Sequence, residues 1–244
     1  MTLLKQNERI DDLQRKGYRL IQNRKQFCFG IDAVLLSWFA KAWPGERVID
    51  LCSGSGVIPI LMEARYGEGS YVGLELNGEV CEMASRSVEM NGLAGRIRMV
   101  NGDVRTAAAF FGKESFDAVT VNPPYMPKGK GLVNPDPALA AAKHEVFCTL
   151  EDVIREASAL LKVGGRFYMV HRPARLKGIL EQMDVCGLSP ETLTFVHSSA
   201  GKDAVLLLVS GVKGRKALMK ITAPLFVYNE DGSYTAEVRR IYDE

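Results

Sequence analysis

Short apolar runs, each closed by an acid, an amide or a glycine, alternate along the chain with longer stretches of helical spacing. The first clear pair is Arg47 to Leu51, an apolar run of strand length. It leads into the small-residue turn Cys52 to Gly56 and the apolar helix Val57 to Ala64. Tyr71 to Leu76 reads as a second strand with Glu75 near its end, and the helix Glu79 to Met90 stops at Asn91-Gly92. Ile97 to Val100 is a third strand, delivering Asn101-Gly102-Asp103. Ala118 to Val121 is a fourth, ended by Asn122, Pro123, Pro124 and Tyr125, which cannot continue a ladder. Strand and helix units in succession predict a parallel sheet whose carboxyl ends share one crevice. Asp50, Glu75, Asp103 and Asn122 all fall at those ends.

The flanks read less regularly. Tyr18 to Gln22 alternates enough for a short strand, Asn23 to Gln26 is a polar turn, and Phe27 to Phe29 resumes as extended chain. Asp32 stands where an N-cap should, ahead of the run AVLLSWFAKAW that Pro44-Gly45 terminates. Phe29 and its neighbours are core residues or the cover of a bound cofactor. Downstream, Thr149 and Asp152 form a capping box for a helix from Leu150 to Leu161, closed by Gly164-Gly165. Arg166 to His171 is a fifth strand, and Pro173 opens a helix that ends at Gly187. Glu191 to His197 and Ala204 to Val209 are two more strands, and Asn229 to Gly232 marks a hairpin turn near the end. We expect one domain over 1–244. An extension at 1–45 covers the cofactor side, the core is 46–212, and a hairpin extension occupies 213–244.

Composition sharpens the class without changing it. A hydrophobic content of 47% over 244 residues is enough for a large α/β core. No apolar run approaches the roughly 20 residues of a membrane span, and the charged N-terminus lacks a signal-peptide core, so a cytoplasmic protein is expected. Five scattered cysteines fit reduced thiols and neither a disulfide framework nor a metal site. The net charge of +2 is unevenly spread: residues 1–30 and 201–220 each carry +4, and the rest −6. Basic segments of this kind suit phosphate contact as readily as solvated faces.

The chemistry follows from the strand ends. Gly54 and Gly56 allow close approach of a ligand to the backbone and a tight helix start. Asp50 can accept from a ligand amine or orient the turn, Glu75 can accept from two ribose hydroxyls, and Asp103 from an adenine amino group. After the fourth strand, two prolines stiffen the chain and leave carbonyls free. An amide side chain, a carbonyl and the Tyr125 ring then suit a planar group bearing an exocyclic amine.

DLCSGSG at Asp50 to Gly56, the acid Glu75, Asp103 and NPPY at Asn122 to Tyr125 together resemble the class I S-adenosylmethionine-dependent methyltransferases. That resemblance implies a Rossmann-like α/β fold: a mostly parallel seven-stranded sheet, one strand antiparallel, helices on both faces. It implies S-adenosylmethionine as methyl donor, no metal, and cofactor contacts from Phe29, Asp50, Cys52, Ser53, Gly54, Gly56, Glu75, Leu76, Asp103, Val104 and Asn122. Asn122, Pro123, Pro124 and Tyr125 would be catalytic. Many members have glycine where Cys52 stands.

Within the class, RLIQNRKQFCFGIDAVLLSWFA, Lys143-His144-Glu145, HRPARL and PLFVYNEDGSYT look like the bacterial tRNA1(Val) adenine-37 N6-methyltransferase group. The implied partner is tRNA, with Lys128, Lys130, Lys143 and His144 toward RNA. Transfer to a guanine N2 in ribosomal RNA or to a protein glutamine amide is the alternative for an NPPY enzyme. A non-enzymatic RNA-binding module would not need the intact acids, and a nicotinamide dehydrogenase would need the full G-x-G-x-x-G spacing, which is absent.

Overall fold

The computed structural model describes residues 4–26, 28–123 and 148–242. Strands β1 (Glu8–Asp12) and β2 (Arg19–Asn23) pair antiparallel as a separate hairpin, with Ile10 opposite Ile21. The sequence pattern indicates only the second of them, because ERIDD carries a single apolar residue. Helix α1 (Ile31–Phe39) follows, then β3 (Arg47–Leu51), α2 (Val57–Tyr66), β4 (Ser70–Glu75), α3 (Gly78–Met90) and β5 (Ile97–Asn101). A 3-10 turn at Val104–Thr106 leads to the short α4 (Ala107–Phe111) and to β6 (Phe116–Val121). The remainder is α5 (Leu150–Leu160), β7 (Leu161–His171), α6 (Leu176–Val185), β8 (Leu188–His197), β9 (Ala204–Lys213), β10 (Lys220–Ile221), β11 (Leu225–Phe226) and α7 (Ala236–Tyr242).

The main sheet runs β5-β4-β3-β6-β7-β9-β8, parallel except for β9, which is antiparallel to both neighbours. These are the seven strands the sequence predicts. Two further two-residue strands, β10 and β11, lie parallel on β8 and bring the sheet to nine among the described residues. Their apolar content is too short to register as a pattern.

Side-chain parity along the strands divides the core into two layers. Val48, Ala118, Tyr168, Val170 and Leu208 face α1, α2 and α7. Ile49, Leu51, Val119, Val121, Phe167, Met169, Leu207 and Val209 face α4, α5 and α6. The helices therefore cover both faces, and the sheet reads as apolar throughout because both faces are buried.

Three local expectations are corrected. Asp32 is not the N-cap of α1: Gly30 is, and Asp32 lies buried in the first turn. Gly164-Gly165 does not close α5, which stops at Leu160 and passes directly into β7. The glycines sit instead where the β6–β7 pairing jumps from Phe116–Leu161 to Ala118–Arg166, and a Cβ on Gly165 would stand 2.8 Å from the Lys162 carbonyl. The C-terminal segment does turn at Asn229, whose carbonyl accepts from the Gly232 amide at 3.1 Å. Past it, one bridge between Tyr228 and Tyr234 is followed by α7 and not by a second hairpin arm.

The ends are tied to the body by specific bonds. Arg86 on α3 donates to both Glu8 oxygens at 2.8 and 2.6 Å, and Ile21 donates its amide to the Ser87 hydroxyl at 2.9 Å. Arg15, in the β1–β2 connection, and Arg65 on α2 both donate to the Ile241 carbonyl, at 3.1 and 2.5 Å. Tyr234 stacks between Tyr228 and Tyr242, with ring planes 14° and 15° apart.

One position controls how closely the strands and the turn after β3 pack. A Cβ on Gly73 would lie 2.5 Å from the Met99 methyl and 2.6 Å from Ser53 Oγ. Gly73→Ala is expected to lower stability by about 1–3 kcal/mol in urea unfolding. A loss under about 0.5 kcal/mol would mean that this packing has slack.

Candidate active site

The site is assembled by strand register. Asp50 on β3 lies opposite Gly73 on β4 and Thr120 on β6, so three side-chain positions of one parity stand abreast at the C-terminal end of the sheet. Thr120 donates to Asp50 Oδ1 at 2.7 Å, and both residues are buried. Among the described residues, Asp50 Oδ2 and Ser53 Oγ are buried without a hydrogen-bond partner. Two such atoms side by side at a turn fit a polar ligand group.

After Leu51 the chain makes three left-handed excursions in five residues, at Cys52 (φ 60°), Gly54 (φ 55°) and Gly56 (φ 77°). Ser53 regains the ladder by donating to the Leu74 carbonyl at 2.9 Å. Cys52 therefore holds a conformation that favours glycine, which accounts for the glycine common in the resembled pattern. The neighbouring Cys148 side chain, with burial, raises its thiol well above the usual value. Among the described residues nothing lies within 4 Å of a Cβ placed on Gly54, whereas a Cβ on Gly56 would meet Met99 and Ala84 at 3.2 and 3.3 Å. Gly54 thus leaves room for a ligand, and Gly56 seats α2 against α3.

Glu75 connects the turn to the next strand. Its Oε2 accepts the Gly54 amide at 2.9 Å, and its Oε1 the Asn77 amide at 2.8 Å. Burial raises its pKa against these opposing amides. Beside it Leu76 is 42% exposed, an apolar surface suited to the face of a planar ring. Phe29 is half-buried against the α1–α2 layer, its amide donating to Gln22 Oε1 at 2.9 Å.

Asp103 departs from the simple expectation. Its carboxylate caps the Arg105 amide at 2.9 Å and pairs with the Arg105 guanidinium at 3.0 Å, and this guanidinium holds it below the usual carboxylate range. Val104 packs its side chain into the core.

Asn122 follows Val121 at the end of β6 and continues the parity of Ala118 and Thr120, which directs it to the α1 face. There its Nδ2 donates to Asp32 Oδ2 at 3.2 Å. Pro123 is buried. Pro124, Tyr125, Lys128, Lys130, Lys143 and His144 lie outside the described residues. The sequence pattern misses two partners, Thr120 and Asp32. Thr120 is hidden in an apolar strand. Standing as the only charged residue of α1 is the one signal that could have marked Asp32. Among the described residues, no three of His, Cys, Asp or Glu cluster closely enough to hold a metal ion, and no helix is long and apolar enough to cross a membrane.

This strand order, with a glycine turn after β3 and acids at the ends of β3 and β4, defines a Rossmann-like methyltransferase fold. The model of the methyltransferase small domain family matches residues 30–183, and the chain belongs to that family. A tRNA1(Val) (adenine(37)-N6)-methyltransferase of Porphyromonas gingivalis is 26% identical over 224 residues, 87% of this chain and 86% of the relative. Its counterpart from Tolumonas auensis is 24% identical over 94% of each chain. A crystal structure from Agrobacterium tumefaciens, described as a predicted O-methyltransferase, superposes with a TM-score of 0.71 at 27% identity, covering 87% and 95% of the two chains.

The Asp50 environment gives a measurable pH signature. Burial pushes its carboxyl from 3.8 up to about 7, against the pull of the Thr120 hydroxyl. A carboxyl raised by folding binds its proton more tightly in the native state, so native stability falls as pH rises from the unfolded pKa to the folded one. Asp50→Asn keeps an acceptor for Thr120 and is expected to flatten that decline between pH 4 and 8 in ligand-free urea unfolding. An unchanged slope would show that Asp50 ionises in the fold without penalty.

Proposed function

We propose that the chain transfers a methyl group from S-adenosylmethionine to N6 of an adenine in tRNA, adenine 37 of tRNA1(Val) or a similar anticodon-loop adenine, in the cytoplasm. The observation that carries this reading is Asn122, an amide fixed at the end of β6 in the same crevice as the glycine turn and Glu75. The relatives named for adenine N6 transfer on tRNA support the choice of acceptor.

In this reading Glu75 accepts from ribose hydroxyls through lone pairs its amide donors leave open. Gly54 admits the ligand to the backbone, Leu76 takes the face of the adenine ring, and the unpartnered atoms of Asp50 and Ser53 receive the amino-acid end. Cys52 and Gly56 shape the turn, Asp103 and the Val104 main chain flank the adenine, and residues 1–45, with Phe29, cover this side. The bound cofactor supplies an electrophilic methyl group on a sulfonium.

The acceptor nitrogen is a poor nucleophile because its lone pair is delocalised into the ring. Asn122 Oδ1 and the Pro123 carbonyl would accept its two hydrogens, favouring a pyramidal nitrogen with its lone pair free for attack. Two acceptors suit an amine with two hydrogens better than a hydroxyl with one. The nitrogen becomes positively charged on methylation and sheds a proton afterwards, so positioning suffices and no strong base is required. By the NPPY motif, Pro124 would stiffen the chain here and Tyr125 would stack on the base. Lys128, Lys130, Lys143 and His144 would meet the RNA, and an anticodon-loop base is already unpaired, which lowers the cost of drawing it into the pocket.

Asn122→Ala is expected to abolish transfer while calorimetric affinity for S-adenosylmethionine stays nearly intact; retained activity would remove Asn122 from the mechanism. Lys128→Ala and Lys130→Ala should each weaken tRNA binding and reduce the slope of log affinity against log salt by about 1. Unchanged slopes would make these lysines solvated surface residues.

A further inference from the structure

We infer that Asp32 is the positioning residue for Asn122, fixing which end of the amide faces the acceptor amine. The inference rests on the reading that Asn122 holds that amine, and it adds a residue that neither NPPY nor the strand-end acids include.

A carboxamide side chain has a donor end and an acceptor end of nearly the same shape, and a rotation of 180° exchanges them. Only one orientation presents an oxygen to an amine; the other presents an NH2 and repels it. Asn122 therefore needs a partner that distinguishes its two ends. Asp32 is such a partner, since its carboxylate oxygen accepts, and the amide turns its nitrogen toward it. The 3.2 Å contact from Nδ2 to Asp32 Oδ2 has this sense.

The carboxylate is itself held. Asp32 is 8% exposed, and its Oδ1 accepts the Ala33 amide at 3.0 Å. Gly30 makes the room: a Cβ there would stand 3.0 Å from the same Oδ1. An acid is costly to bury without partners. At the second position of a helix with five further buried residues, Ala33 to Ser37, an apolar side chain would fill the space more cheaply. Orientation of a neighbouring amide accounts for its presence.

The test is methyl incorporation from labelled S-adenosylmethionine into tRNA, total RNA and protein, measured for three variants. Asp32→Asn removes the carboxylate that distinguishes the two ends of the Asn122 amide. Its kcat is expected to fall about 10- to 100-fold, with KM and affinity for S-adenosylmethionine within about twofold. Asn122→Asp alone sets two carboxylates against each other and should be slower still. The double substitution Asp32→Asn with Asn122→Asp restores one donor and one acceptor to the contact, with an oxygen still facing the acceptor, and is expected to recover at least about tenfold over Asn122→Asp. A structural role alone would lower the melting temperature and make the two losses additive. Asp32→Asn with kcat within about twofold of the parent, or a double substitution no faster than either single one, overturns the inference. Incorporation tests Asp32 whatever the acceptor, whereas the adenine reading stands or falls on N6-methyladenosine among the labelled products of the parent enzyme.

Discussion

The register of β3 against β4 and β6 is the constraint on which the rest of the site depends. It sets Asp50, Gly73 and Thr120 abreast, and from that alignment follow a hydroxyl for the buried acid, a vacancy for Ser53 and Met99, and the direction in which Asn122 leaves the sheet. A slip of one residue would send every side chain of a strand to the opposite layer. Both layers are closed by helices, so such a slip would bury polar groups in apolar cores, and the register is accordingly well specified.

Around this frame the site concentrates features that cost stability. Cys52 is left-handed, Asp50 is deeply buried, and Asp32 stands among apolar neighbours in α1. Each is a local violation of the rules that the surrounding sheet obeys. Their concentration at one end of the sheet, where β3 and β6 terminate, is the pattern expected when binding and not folding selects the residues. The rest of the chain compensates through two continuous cores.

Most of the central sheet was legible because its strands are buried on both faces and separated by glycine, asparagine and proline. β3 was read to the residue and β6 differs only by two residues at its start. What escaped was stabilised by distant contacts. β1 is charged and depends on Arg86, far along the chain. α7 depends on the tyrosine stack and on arginines from the N-terminal half. In the site, Asp50, Glu75 and Asn122 could be placed from strand ends alone, whereas Asp32 and Thr120 could not. Their roles come from pairing across 90 and 70 residues of sequence, which no local pattern encodes. Asp103 does follow β5, as the pattern expects, but its engagement with Arg105 depends on side-chain geometry.

The bond from Arg15 to the Ile241 carbonyl joins residues 226 positions apart. Contacts of such separation close nearly the whole chain into a loop and come late in folding, after local units have formed. During synthesis the β1–β2 hairpin emerges well before α7, so this latch waits until α7 has left the ribosome. A nascent chain stalled before α7 would therefore carry β3 to β6 without the bond that fastens the β1–β2 connection to that helix.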